Sequence, residues 1–112
     1  MKTKHDFFVD VVIREFLKRK FLVEKELPLP NGKGSVDIFA KKENLKIYSE
    51  VKSSPTSIYS KKARNQLMKY QNCFGEENFY FLVSPNAKGD LKVSSLNEIN
   101  GSLDKLINCF NS

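Results

Sequence analysis

Asp37, Glu50 and Lys52 are the residues of this chain whose types and spacing could do chemistry. They lie in the stretch Ser35 to Lys52, where two runs of alternating apolar and polar residues flank the polar break Lys41-Lys42-Glu43-Asn44. Alternation of period two spells strands, and a short polar break between them spells an antiparallel hairpin. In the first run Val36, Ile38 and Ala40 share one face, and Asp37 and Phe39 the other. In the second, Leu45, Ile47, Ser49 and Val51 oppose Lys46, Tyr48, Glu50 and Lys52. A turn centred on Glu43 and Asn44 puts Asp37 directly opposite Glu50.

Side chains opposed in this way have Cβ atoms about 4.5–5.5 Å apart, and two carboxylates there repel. A divalent cation removes the conflict. Mg²⁺, for which Mn²⁺ can substitute, takes one or two carboxylates, keeps several waters and completes its shell with substrate phosphate. Asp37 and Glu50 are the expected ligands, with the Val51 carbonyl as a further oxygen. Lys52 then stands where an ammonium can reach the attacking water or the charge that develops on phosphate. Metal-assisted phosphodiester hydrolysis is the chemistry this set suits. A plainer alternative fits the same residues, namely the charged outer side of an antiparallel sheet.

An Asp on one strand followed by Glu-Val-Lys at the end of the next resembles the PD-(D/E)XK nuclease superfamily. That group includes restriction endonucleases, archaeal Holliday-junction resolvases and the nuclease domains of bacterial recombination exonucleases. Val36 stands where the motif's name has Pro. The resemblance covers residues 8 to 84 and implies an α/β, restriction-endonuclease-like core. Such a core has a mixed central sheet with an antiparallel hairpin and a parallel crossover strand, flanked by helices. It also implies Asp37, Glu50 and Lys52 as catalytic positions. Gln66 and Tyr70, as Gln-x-x-x-Tyr on the next helix, resemble an accessory motif of the recombination-exonuclease group, implied to lie beside the site and orient lysine or DNA. A glutamate on the first helix often completes the metal site in this resemblance, and Glu15 is the matching residue. Read without it, Glu15 is a surface partner of Arg19.

The elements that must position these groups are legible from periodicity. Asp6 to Lys20 reads as an amphipathic helix burying Phe8, Val12, Phe16 and Val9, Ile13, Leu17, with Asp10, Arg14 and Lys18 on the wet side. Phe21 to Pro30 reads as extended, and Asn31-Gly32-Lys33-Gly34 as a loop that could approach DNA. After the hairpin, a helix over 58–74 buries Ala63, Leu67, Tyr70 and Phe74, while Lys61, Lys62, Arg64 and Lys69 give it a basic surface suited to phosphate contacts. The apolar run Phe79 to Val83 reads as a strand buried on both faces, parallel to the Glu50 strand. Residues 85–90 make a turn-rich exit. Leu91 to Val93 adds a short edge strand, and Leu103, Leu106, Ile107 and Phe110 a closing helix.

At 112 residues the chain is expected to form a single domain over 1–112, large enough for a core without staples. No apolar run approaches membrane-spanning length, so neither a span nor a signal peptide is expected. Nineteen basic against thirteen acidic residues give a net charge of +6, which favours a polyanion such as DNA as partner. Cys73 and Cys109 show no metal-ligand spacing and fit a reduced, intracellular protein. His5, lone and near the terminus, reads as a frayed-end residue. The expected function is a Mg²⁺-dependent deoxyribonuclease, directed by DNA structure or ends and acting as a homodimer. The alternative is a catalytically inactive nuclease-fold module for DNA binding or assembly.

Overall fold

A computed structural model describes residues 3–54, 60–85, 91–96 and 101–102. Helix α1 spans Lys4–Lys18 and starts where Thr3 caps it. The Thr3 hydroxyl accepts from the Asp6 N–H, and the Asp6 carboxylate accepts in return from the Thr3 N–H. This capping box satisfies donors that a helix start leaves orphaned, and it moves the start from the expected Asp6 back to Lys4. Val9, Val12 and Phe16 are buried, whereas Leu17, expected in the same stripe, is 52% exposed. At 3.6 residues per turn Leu17 sits roughly 100° from the centre of that stripe.

Among the described residues six strands follow in a sheet whose order is their chain order: β1 Leu22–Pro28, β2 Ser35–Lys42, β3 Leu45–Val51, β4 Phe79–Pro85, β5 Leu91–Ser95 and the two-residue β6 Gly101–Ser102. All neighbours are antiparallel except β3 and β4, which helix α2, Lys61–Phe74, connects in parallel. The fold is thus α/β with a mixed sheet. The hairpin takes the expected register, with Ile38 opposite Ser49 and Lys42 opposite Leu45. Lacking an Asn-Gly pair, its turn obtains the positive φ of a two-residue loop from Glu43, at +55°.

Helices α1 and α2 lie against opposite cores. Val9, Val12 and Phe16 of α1 pack with Ile38, Ala40, Ile47, Val51, Phe81 and Val83. Ala63, Leu67 and Tyr70 of α2 pack with Tyr48, Tyr80 and Leu82. β4 therefore contributes alternate residues to both cores, as its continuous apolar run requires. Ser60 caps α2 by accepting from the Ala63 N–H at 3.1 Å.

Three expectations change. Val36 does not share a core with Ile38 and Ala40 but packs under α2, because β2 turns over at Asp37. β5 is not an edge, since β6 pairs beyond it. Asp10, placed on the wet side of α1, faces Lys25 of β1 at 3.6 Å. The expected start of α2 at Ile58, the exit turn over 86–90, the closing helix of Leu103, Leu106, Ile107 and Phe110, and Cys109 lie outside the described residues. Among the described residues no helix is long and apolar enough to cross a membrane.

Candidate metal centre

Strands β2 and β3 part company at the site. Their ladder ends at Ile38 and Ser49, one pair short of Asp37 and Glu50. On the other side of β3 the Lys52 N–H donates to the Val83 carbonyl at 2.8 Å, so the Val51 N–H faces β2. With the ladder ended it donates instead to Asp37 Oδ2, at 2.9 Å. A carboxylate has taken the place of a backbone acceptor, in the mouth between two diverging strands. The Val51 carbonyl, proposed from sequence as a ligand, lies on the same edge of an extended strand as its N–H.

Asp37 Oδ2 also lies 3.0 Å from His5 Nε2, on the first turn of α1. One ligand atom each from His5, Asp37 and Glu50 falls within 4.8 Å of the others. Two oxygens and an imidazole nitrogen at that separation suit a single divalent ion. Glu50 supplies a second sign of fit. It is 7% exposed, and burial together with the charge of Asp37 pushes its carboxyl up to about 8, against the partial relief given by Tyr70 and Lys52. Two acids this close in a desolvated site cannot both ionise cheaply, and a cation is what resolves the conflict.

Behind the acids stands a chain of side chains from α2. The Tyr70 hydroxyl donates to Glu50 Oε2 and also lies 3.3 Å from the Ser35 carbonyl. Burial and the neighbouring Glu50 charge raise the Tyr70 hydroxyl above its ordinary range, so it stays a donor. Lys52 Nζ donates to Gln66 Oε1 at 3.0 Å. Helix α2 thereby engages Lys52 through Gln66 and Glu50 through Tyr70. Ala63, Leu67 and Tyr70 bury the face of α2 that fixes this row against the sheet.

Glu15 does not join the centre. It lies ten residues beyond His5 on α1, about 15 Å along the axis at 1.5 Å per residue. Its carboxylate is engaged by Arg19 at 2.9 Å and Lys18 at 3.2 Å, and the Arg19 contact holds it below the usual carboxylate range. The first helix contributes His5 instead. Its sequence signal was the Thr3 to Asp6 capping box, which puts position 5 inside the first turn rather than in a frayed end.

The basic residues of α2 divide. All four of Lys61, Lys62, Arg64 and Lys69 are exposed. On a helical wheel Lys62 and Lys69 lie within roughly 60° of Gln66, whereas Lys61 and Arg64 lie roughly 140–160° away. Lys69 Nζ reaches the Lys33 carbonyl at 3.5 Å, which ties α2 to the loop between β1 and β2. A scan against protein-family models and a search of curated proteins find no match to this chain.

Proposed function

We propose that this protein is a metal-dependent DNA nuclease built on a restriction-endonuclease-like core. The observation that carries the reading is the convergence of His5, Asp37 and Glu50 within 4.8 Å, with the Lys52 amine, held by Gln66, close enough to act on the Glu50 charge. Those three residues would hold the ion. A bound Mg²⁺ or Mn²⁺ would supply Lewis-acid activation of phosphate and water. The chain's own residues do the rest. Tyr70 fixes the Glu50 side chain, and Gln66 fixes the Lys52 ammonium, so neither has to be ordered when substrate arrives. Lys52 stabilises negative charge growing on the phosphate or orients the attacking water. Lys62, Lys69 and the loop over 31–34 are the neighbouring groups placed for the phosphate backbone.

The core itself offers little room for reading base sequence, so on this reading DNA structure or strand ends are what it would select. Cutting both strands would take a second copy of the chain. The test is cleavage of plasmid, single-stranded and four-way DNA with Mg²⁺ or Mn²⁺, comparing wild type with Asp37→Ala and Lys52→Ala. Cleavage by wild type, lost in both variants, is expected. Equal activity in all three would refute the assignment, and DNA binding without cleavage would favour an inactive nuclease-fold module.

A further inference from the structure

Strands β1 and β2 turn over together at a single pair of residues. Val23 and Lys25 face α1, Lys25 through its ion pair with Asp10, and their partners Ala40 and Ile38 lie in the same core. Further along, Leu27 and its partner Val36 pack in the opposite core with α2. Strict alternation would keep positions 23, 25 and 27 together, and 36, 38 and 40 likewise. The register is unchanged across the switch, so no residue is inserted and this is not a bulge. What differs is the pair in between. Glu26 and Asp37 are missing from the ladder, and Glu26 has φ +56°.

A left-handed backbone is strained for any residue with a Cβ, and a strand offers nothing locally to reward it. Here it sits opposite the one side chain that must leave the pleat. Asp37 accepts from Val51 on β3 in the plane of the sheet, meets His5 from the α1 side, and approaches Glu50, which α2 holds through Tyr70. In a regular strand Asp37 would point to one face and could not serve both.

We propose that Glu26 is a positioning residue for the metal centre, acting through its left-handed backbone to turn both strands over and aim the Asp37 carboxylate into the mouth between β2 and β3. The Glu26 side chain is exposed, so the conformation rather than the carboxylate carries the role. Its consequence for metal rests on the function proposed above, but its effect on Asp37 does not.

The test is a series, Glu26→Gly, →Asn, →Ala and →Val, graded by tolerance of positive φ. Two readouts are taken: the Val51 amide by NMR in metal-free protein, and Mn²⁺ affinity by titration. Gly and Asn should leave the Val51 amide as in wild type and bind Mn²⁺ within about twofold, while Val should displace the amide and weaken binding by about tenfold or more, with Ala between. Should the Val variant fail to fold, the contrast of Ala with Gly carries the same test. A wild-type Val51 amide in the folded Val variant, or equal losses in Gly and Val, would overturn the proposal. If wild type binds no Mn²⁺ while the Val51 amide still tracks the series, the metal reading fails and the positioning of Asp37 stands.

Discussion

Glu50 is buried, beside Asp37, and hydrogen-bonded to Tyr70, which gives it a measurable signature without any substrate. Below about pH 4.5 its carboxyl is protonated in folded and unfolded chain alike. Between there and about 8 only the unfolded chain ionises, so folded stability declines across that window and levels off above it. Denaturant melts in EDTA should show a loss on the order of a few kcal/mol from this group, absent in Glu50→Gln. Saturating Mn²⁺ should remove the decline. His5 provides the second residue-scale prediction. His5→Ala should weaken Mn²⁺ binding by about tenfold while leaving the melting curve nearly unchanged, because its side chain is 41% exposed. Strand alternation was enough to bring Asp37, Glu50 and Lys52 onto one candidate face from sequence alone. It could not reveal His5, whose partner lies 32 residues away, whereas the four-residue spacing of Glu15 and Arg19 did offer the surface pairing that the structure shows.

The elements were mostly readable because each carries a strong local signal. The hairpin register followed from a two-residue turn, and the parallel pairing of β3 with β4 followed from a helix between two strands. What periodicity misses is the turnover of β1 and β2 at Glu26 and Asp37. Alternation reads through a conformational switch as though it were absent, and the signal here is a backbone angle on an ordinary glutamate. Helix α2 carries Gln66 and Tyr70, and Leu67, 1% exposed, anchors it to the sheet. Leu67→Ala should destabilise the protein by about 2–5 kcal/mol in urea melts. Tyr70 and Gln66 ride on the same helix, so this variant should also loosen the Glu50–Tyr70 and Lys52–Gln66 contacts.

Across the whole molecule, a net charge of +6 favours phosphate contacts, and on the DNA-binding function proposed above affinity should fall with salt as each such contact releases counterions. The wheel of α2 makes that dependence residue-specific. Neutralising Lys62 and Lys69, on the Gln66 side, should reduce the slope of log affinity against log salt by about 1 each. Neutralising Lys61 and Arg64, on the far side, should change it little. In the mouth between β2 and β3, one ligand atom each from α1, β2 and β3 comes together. Titration of metal-free protein with Mn²⁺ reads whether these atoms hold an ion. One ion bound per chain, lost in Asp37→Asn, is the result the geometry predicts. No binding by wild type, or binding that Asp37→Asn leaves intact, would contradict it.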